Sequence, residues 1–217
     1  MSEDMAQPKT GQYFDAAPES EDKRRTISVT LAGRHVDVVT SSGVFSPGHV
    51  DTGTAVLLRK MVAPPEGDVV DVGCGWGPIA LTMAMMNPEA RVWAVDVNPR
   101  SVELTAHNAK TLGLSNVNAV LASDIPSEQR FKQIWSNPPI RIGKPALHDL
   151  LTLWLGRLEV DGDAFMVVQK NLGADSLVAW LNSDQGPSQG NSGLLHTSKV
   201  GSAKGFRVLR TVRSSGS

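Results

Sequence analysis

The sequence has little cysteine. Cys74 is the single cysteine among 217 residues, which excludes an intramolecular disulfide and a zinc site built from several cysteines. The five histidines lack the spacing of metal ligands, so we expect no resident metal. A chain without disulfides suits a reducing compartment, and we therefore expect a cytoplasmic protein.

Long apolar runs are absent as well. The longest helix-like run, Ile79–Met86, is interrupted by Thr82 and is far shorter than the ~20 residues that a membrane-spanning helix needs. The first residues, Met1–Lys9, are polar and lack the apolar centre of a signal peptide. We therefore predict no contact with a membrane.

Acidic residues are missing from two segments, although the formal net charge of the chain is only −1. Residues 130–148 and 185–217 contain no Asp or Glu, whereas residues 1–22 contain six acids and one lysine. A local excess of positive charge attracts phosphate groups. An ordinary solvated surface has the same composition, and charge alone favours that interpretation.

Strand-like and helix-like segments alternate along most of the chain. Thr26–Leu31 and Arg34–Thr40 predict a hairpin around Ala32–Gly33. Five short strands alternating with helices follow, and a last pair of strands closes the chain. Strands are predicted at Asp68–Val72, Arg91–Val97, Val117–Leu121, Phe131–Ser136, Ala164–Gln169, Leu194–Val200 and Gly205–Val212. Helices are predicted at His49–Met61, Pro78–Met86, Pro99–Leu112, Pro145–Leu158 and Asp175–Leu181.

This order predicts an α/β fold. We expect a Rossmann-like, doubly wound, mostly parallel seven-stranded sheet with a C-terminal antiparallel pair and a small N-terminal β-hairpin extension. Residues 1–20 are predicted to be a flexible terminus and residues 21–62 the hairpin and helix extension. Residues 63–213 are predicted to be the core, which forms a single domain with the extension, and residues 214–217 a tail.

Glycines are concentrated where the first core strand ends, in Asp71-Val72-Gly73-Cys74-Gly75-Trp76-Gly77-Pro78. Glycines between a strand and a helix allow backbone N–H groups to approach a ligand. The dinucleotide-binding fingerprint would need glycine at position 78, where this chain has Pro78. A tight turn without a ligand is the alternative, and the motif alone does not decide between the two.

Acidic residues follow the next two strands. Asp96 ends the second strand, where a carboxylate can accept the hydroxyl groups of a ribose. The alternative role for Asp96 is to stabilise the start of the following helix. Ser123 and Asp124 follow the third strand. Because the carboxyl ends of parallel strands share one edge of the sheet, we expect these groups and the glycine turn to surround one ligand.

The fourth strand is followed by Ser136-Asn137-Pro138-Pro139-Ile140. This motif resembles the signature of enzymes that methylate planar amino groups, in nucleobases or in the glutamine side chain; a stiffened turn is the alternative. The Asn137 amide oxygen and the Pro138 carbonyl can accept both hydrogens of such an amine and orient its nitrogen. Neither proline has a competing N–H group.

Longer segments carry a more specific resemblance. Together with the glycine turn, Ser42-Gly43-Val44-Phe45-Ser46, Asp51-Thr52-Gly53-Thr54 and Asn137-Pro-Pro-Ile-Arg141-Ile-Gly143-Lys144 resemble the ribosomal RNA small-subunit methyltransferase C family. The resemblance runs from about Tyr13 to Val212. It implies a class I methyltransferase that uses S-adenosyl-L-methionine (SAM), yields S-adenosyl-L-homocysteine and methylates a guanine N2 amine of 16S ribosomal RNA. The implied partner is ribosomal RNA or the small ribosomal subunit.

The resemblance also implies three sets of site residues. The catalytic set is Asn137, Pro138, Pro139 and Ile140. The cofactor-binding set is Phe45, Asp51, Thr54, Asp71, Gly73, Cys74, Gly75, Trp76, Asp96, Val97, Ser123, Asp124 and Asn137. The RNA-binding set is Arg141, Lys144, Lys204 and Arg207.

Two departures from the family pattern matter. The family's second, degenerate methyltransferase-like half has no counterpart in this sequence. Ile140 stands where an aromatic residue often stacks on the target base, so Phe45 or Trp76 would have to supply that contact. Two other functions stay open, a protein glutamine-amide methyltransferase and a non-catalytic RNA-binding module. The oligomeric state is open as well, and we expect Cys74 to be a buried residue and not a nucleophile.

Overall fold

The computed structural model describes residues 21–139, 142–187 and 193–215. Its strands are β1 (Arg24–Leu31), β2 (Arg34–Ser41), β3 (Gly67–Val72), β4 (Ala90–Asp96), β5 (Val117–Leu121), β6 (Phe131–Ser136), β7 (Leu158–Gln169), β8 (Gly193–Ala203) and β9 (Phe206–Ser215). Its helices are α1 (Thr52–Leu58), α2 (Pro78–Met86), α3 (Pro99–Thr111), α4 (Lys144–Leu155) and α5 (Ala174–Leu181). Short 3₁₀ turns lie at Ala122–Asp124 and Lys170–Leu172.

Seven strands form one sheet in the order β5-β4-β3-β6-β7-β9-β8. Strands β3 to β7 are parallel, while β9 runs antiparallel to both β7 and β8. Helices α1, α2 and α3 cover one face, and α4 and α5 cover the other. The predicted fold class is confirmed, including the C-terminal antiparallel pair and the N-terminal hairpin.

The strand order reverses between β3 and β6. These two strands pair in parallel with Val72 opposite Ser136, so Gly73 and Asn137 leave the sheet side by side. In open α/β sheets, ligands bind in the crevice outside the carboxyl ends of the strands, at the point where the order reverses. The glycine turn and the Asn-Pro-Pro motif therefore meet where this architecture places its ligand.

Helices α1 and α4 are shorter than predicted. Helix α1 begins at Thr52, not His49, because the Asp51 carboxylate accepts the Thr54 N–H (3.1 Å) and caps the helix there. Helix α4 ends at Leu155, and Leu158 instead opens β7 opposite Phe131. Leu158 is fully buried. Its apolar spacing therefore correctly indicated burial, but it did not show that Leu158 belongs to a strand and not to the preceding helix.

The N-terminal hairpin of β1 and β2 packs against α3 and α2. The buried Asn108 on α3 links it to the glycine turn. Its side chain accepts the Val39 N–H (2.7 Å) and donates to the Val39 carbonyl (2.9 Å) and the Trp76 carbonyl (2.9 Å). The domain boundaries stay a prediction. No helix among the described residues is long and apolar enough to cross a membrane.

We expect Asn108→Ala to lower the free energy of unfolding by about 3 kcal/mol, because it leaves three backbone groups without their partner. Urea denaturation followed by circular dichroism measures this change. Lys110→Ala, at an exposed position of the same helix, is the control and should change stability by less than about 0.5 kcal/mol. Equal stabilities of the two variants would contradict the linking role of Asn108.

Candidate functional site

Three glycines shape the turn after β3. Gly73, Gly75 and Gly77 have φ angles of +82°, +58° and +101°, a region that side chains disfavour. A Cβ at Gly73 or Gly75 would enter open space, whereas one at Gly77 would lie 3.0 Å from Thr105 Cγ2 of α3. The first two glycines therefore keep space open beside the turn, and the third allows close packing of two helices.

The N–H groups of residues 73–75 bond to the protein, although glycines at this place in the sequence allow such groups to approach a ligand. The N–H groups of Gly73 and Cys74 donate to the Val95 carbonyl (2.8 and 3.0 Å). The Gly75 N–H donates to the Asp96 carboxylate (3.0 Å). These long-range bonds leave few donors for a phosphate, so the turn differs chemically from a pyrophosphate-binding loop.

Asp71 lies behind the turn and is fully buried. Its Oδ2 accepts the Ala80 N–H (3.0 Å), while no described residue donates to its Oδ1. Loss of solvation raises the pKa of Asp71 to about 8 from a usual value of 3.8, and the nearby Asp96 adds to the shift. Asp71 is therefore mostly a neutral carboxylic acid at pH 7 and acts as part of the scaffold.

Asp96 lies at the carboxyl end of β4, next to the turn. Its two oxygens accept the N–H groups of Gly75 (3.0 Å) and Asn98 (2.9 Å). Burial raises the pKa of Asp96, although these bonds act in the opposite direction. The Ser101 side chain and the Val97 N–H also bond to this carboxylate, so Asp96 is fixed in position by the protein.

Asn137 is held by two residues from the start of α1. Its Nδ2 donates to Asp51 Oδ2 (2.9 Å) and to Thr54 Oγ1 (3.0 Å). Its Oδ1 receives no hydrogen bond from the described part of the chain. The first residue after β6 therefore presents an amide oxygen, and not an amide N–H, as its remaining polar atom.

A segment that we call the strap, residues 42–50, connects β2 to α1 and crosses the glycine turn. Four side chains outside the strap donate to its carbonyls: Arg100 to Ser42 (2.7 Å), Asn98 to Gly43 (2.9 Å), Trp76 to Ser46 (3.3 Å) and Arg25 to Pro47 (3.2 Å). Phe45 is 65% exposed. The fastened strap therefore holds an exposed aromatic ring beside the turn.

The turn, the strap, the start of α1 and Asn137 enclose a common cleft of about 350 Å³ that opens to solvent. Eight of the residues in the predicted catalytic and cofactor-binding sets line it: Phe45, Asp51, Thr54, Gly73, Cys74, Gly75, Trp76 and Asn137. Ser46, Pro78 and Ile79 also line it, although the sequence motifs did not single them out as site residues.

Asp71, Asp96 and several other predicted residues are not among those that line this cleft. Ser123 and Asp124 are exposed at the end of β5, where Ser123 Oγ donates to the Asp124 carboxylate (3.1 Å). Val97 is half-buried, directly after Asp96. Pro138 is buried and the adjacent Pro139 is exposed. Ile140 and Arg141 lie outside the described residues.

Burial restricts what two residues of the cleft, Cys74 and Trp76, can do chemically. Burial raises the pKa of the Cys74 thiol well above its usual range, so the reactive thiolate is disfavoured. The Trp76 ring is only 1% exposed, which prevents it from stacking on a base. Of the two aromatic residues considered for stacking, Phe45 alone has an accessible ring.

The predicted RNA-binding residues come after Asn137 in the sequence. Strands β7, β9 and β8 lie on the opposite side of β6 from β3, β4 and β5, the strands associated with Asp71, Asp96 and Asp124. Lys144 is exposed at the start of α4, and Lys204 is exposed in the turn between β8 and β9. Arg207 is half-buried and forms an ion pair with Asp175. The motifs missed Lys170, whose N–H donates to the Gly205 carbonyl (2.8 Å) beside Lys204. Lys170 directly follows the predicted strand Ala164–Gln169, and this position at a strand end could have marked it as a candidate.

The family model of the methyltransferase small domain matches residues 35–187 of this sequence. The match covers well over half of the chain and contains the strap, the glycine turn and Asn137. The chain belongs to the methyltransferase small domain family. Membership in this family agrees with the resemblance noted in the sequence.

Two relatives differ in how much of their length they share with this chain. The Bacillus subtilis (strain 168) protein named "Uncharacterized protein YbxB" is 36% identical over 173 residues, 78% of this chain and 86% of that protein. The ribosomal RNA small subunit methyltransferase C of Yersinia pestis (strain Pestoides F) is 38% identical over 111 residues, 50% of this chain and 31% of that enzyme. This chain thus matches about a third of the named methyltransferase.

Solved structures of methyltransferases share the fold. The T. thermophilus 16S rRNA N2 methyltransferase RsmC, in complex with AdoMet and guanosine, matches with a TM-score of 0.68 and 22% identity over 88% of this chain and 50% of that one. The M. jannaschii TYW2 in complex with AdoMet matches with a TM-score of 0.61 and 17% identity over 87% of this chain and 85% of that one. These likenesses establish a Rossmann-like methyltransferase fold.

The raised pKa of Asp71 predicts a pH-dependent stability. Because the folded-state pKa of about 8 exceeds the usual 3.8, its contribution is fully present below pH ~4 and is lost as the pH rises through about 8. Asp71→Asn cannot ionise. We therefore expect this variant to gain stability relative to the native chain between pH 5 and pH 9, as measured by urea denaturation. Asp124→Asn, at an exposed position, is the control, and a constant difference for Asp71→Asn across this range would contradict the prediction.

Proposed function

We propose that this protein transfers a methyl group from SAM to an exocyclic amine of RNA, with guanine N2 of 16S ribosomal RNA as the first candidate. The main support is the side-by-side position of the glycine turn and Asn137, whose amide oxygen is left to accept a hydrogen bond. The name of the Yersinia relative supports the RNA substrate. A cytoplasmic location, where ribosomal RNA is available, is part of the proposal.

The methyl donor is SAM, which supplies an electrophilic methyl group on a sulfonium when bound. The residues in and beside the cleft fit it. Asp96, which lies beside the turn, would accept the two ribose hydroxyls. The N–H groups of residues 73–75 bond to the protein, which disfavours a pyrophosphate ligand. Gly73 and Gly75 leave room for close approach of the cofactor. Asp124, at the end of the next strand, would bind the adenine amino group.

Asn137 and Pro138 would bind the target amine. An exocyclic amine is a poor nucleophile because its lone pair is delocalised into the ring. The Asn137 side-chain oxygen and the Pro138 carbonyl accept its two hydrogens and direct the nitrogen toward the methyl group. These acceptors would also stabilise the positive charge that develops on the nitrogen as its bond to the methyl carbon forms and the S–C bond to the departing S-adenosyl-L-homocysteine breaks. The methylated nitrogen would then lose one proton to water.

Phe45 would form the wall that holds the target base. Its ring is exposed at the cleft, and base–aromatic stacking contributes ~1–3 kcal/mol per base. This contact replaces the aromatic residue that often follows Asn-Pro-Pro. Because the N2 amine lies within the stack of a duplex, the base would be flipped out or taken from a single strand.

Basic residues would bind the phosphates of the RNA. Lys170 and Lys204 are neighbours, and neither forms an ion pair with another described residue. Phe206, close to Lys204, packs on Gly53 of α1, which connects this pair to the helix that holds Asn137. Lys144 would extend the surface from the start of α4. Arg207 would have to exchange Asp175 for a phosphate, and Arg141 remains a candidate from the sequence.

The first test uses purified protein, SAM with a labelled methyl group, and 16S RNA or 30S subunits from cells that lack this gene. After digestion, mass spectrometry identifies the labelled nucleoside. We expect N2-methylguanosine with the native chain. Asn137→Ala should bind SAM with nearly unchanged affinity but transfer methyl about a hundredfold more slowly, because the acceptor that orients the amine is gone.

Other outcomes of this test are informative. Label in another base would preserve the amine chemistry and reject guanine as the substrate. Label in a glutamine side chain of a protein would favour the protein methyltransferase. Salt-dependent RNA binding without any transfer would favour the non-catalytic module. Native turnover by Asn137→Ala would reject its role as the acceptor.

Asp96→Ala should weaken SAM binding about ten- to a hundredfold, because the hydrogen bonds from the ribose hydroxyls are lost. Isothermal titration calorimetry measures this affinity. Glu89→Ala removes an exposed acid just before the opposite end of β4 and serves as the matched control. Equal affinities of the two variants would reject Asp96 as the ribose-binding residue.

A further inference from the structure

We propose that Asp51 is a positioning residue for methyl transfer. Asp51 fixes the side-chain amide of Asn137 so that the amide oxygen faces the target amine. The resemblance placed Asp51 among the cofactor-binding residues. Its contacts in the structure instead join it to Asn137, 86 residues away in the sequence. This inference rests on the proposed methyl transfer to an amine.

The chemistry of Asp51 determines which end of the amide faces it. An ionised carboxylate is only an acceptor, so the group that Asn137 turns toward it must be the NH₂ and not the oxygen. The Nδ2–Oδ2 distance of 2.9 Å is that of a charge-assisted hydrogen bond. If the amide rotated by 180°, two oxygens would oppose each other.

Thr54 occupies the second hydrogen of the same NH₂ group. The Nδ2–Oγ1 distance is 3.0 Å, and Thr54 is only 3% exposed. Both donors of the Asn137 amide are therefore used within the protein. Among the described residues none donates to the oxygen, whose direction is set before any substrate arrives.

Asp51 is itself held in place. The oxygen that contacts Asn137 also accepts the Thr54 N–H (3.1 Å) at the start of α1. Behind it, Gly53 packs so closely that a Cβ would lie 3.0 Å from both Asp51 Oδ2 and Phe206 Cε1. The carboxylate thus has a fixed position, and Asn137 gains a fixed orientation from it.

The charge of Asp51 has a second effect. A carboxylate that accepts from the NH₂ end of an amide polarises it and increases the negative charge on its oxygen. A more negative oxygen is a better acceptor for an amine that becomes positive during the reaction. This electrostatic stabilisation is greatest in the transition state, where the positive charge develops on the amine. The contact with Asp51 should therefore increase kcat more than it lowers KM.

Two substitutions separate the helix cap from the contact with Asn137. Asp51→Ser keeps a good N-cap residue, but its shorter side chain cannot reach Asn137. Asp51→Asn keeps an acceptor of the same length and loses the charge. We expect Asp51→Ser to lower kcat about ten- to a hundredfold, with SAM affinity and thermal stability nearly unchanged. Asp51→Asn should recover part of that loss, and Thr52→Ala, at an exposed neighbouring position, is the control.

A double-mutant cycle tests whether Asp51 acts through Asn137. If it does, adding Asp51→Ser to Asn137→Ala should lower kcat no further. The same fold-loss in both backgrounds would overturn the proposal and assign Asp51 an independent role. Loss of SAM affinity in Asp51→Ser, without a change in kcat, would also overturn it and restore the cofactor-binding assignment.

One readout does not depend on activity. The side-chain NH₂ resonances of Asn137, assigned as those absent from Asn137→Ala, should move strongly in Asp51→Ser and much less in Asp51→Asn. Unchanged resonances in Asp51→Ser would reject the contact. Resonances that move in a protein that methylates no amine would preserve the contact but reject the proposed function.

Discussion

The parallel pairing of β3 with β6 is the constraint on which the site depends. It sets Val72 opposite Ser136, so the next residue of each strand emerges at the same level. Gly73 begins a turn that only glycine-rich sequences can form, and Asn137 carries the side-chain amide that faces the cleft. A shift of this pairing by one residue would reverse the side-chain directions of one strand and separate the two.

The chemical character of the site follows from where its hydrogen bonds go. In a phosphate-binding turn, N–H groups face the ligand. Here the corresponding groups bond to the carbonyl of Val95 and the carboxylate of Asp96. The turn therefore has few free donors for an anionic group, and the Asp96 carboxylate beside it is an acceptor.

Local patterns in the sequence were sufficient for most of the fold. Apolar strands with clear ends, and the Asn98–Pro99 start of α3, depend on neighbouring residues and were predicted well. Leu158 was assigned to a helix because its spacing continued that of α4, and its pairing with Phe131 involves a residue 27 positions earlier in the chain. Short-range spacing contains no information about such a partner.

For the site, the sequence predicted which residues come together but not their individual contacts. Motifs identified eight of the residues that line the cleft, because motifs mark the ends of strands and the ends share an edge. They did not indicate what each residue does there. The buried Trp76 ring, the N–H groups bound to Val95 and the bond between Asp51 and Asn137 all depend on contacts between distant segments. Each requires the assembled structure.

The strap has a consequence for how this architecture can diversify. It carries Phe45, the proposed aromatic wall for the target base, yet it lies outside the seven-stranded sheet and is fastened mainly through its backbone carbonyls. Bonds to carbonyls tolerate many side chains at the fastened positions. Residue 45 can therefore change without disturbing the ends of β3 and β4. Selection for a new acceptor molecule can thus act on one short segment while the donor-binding half of the fold stays the same.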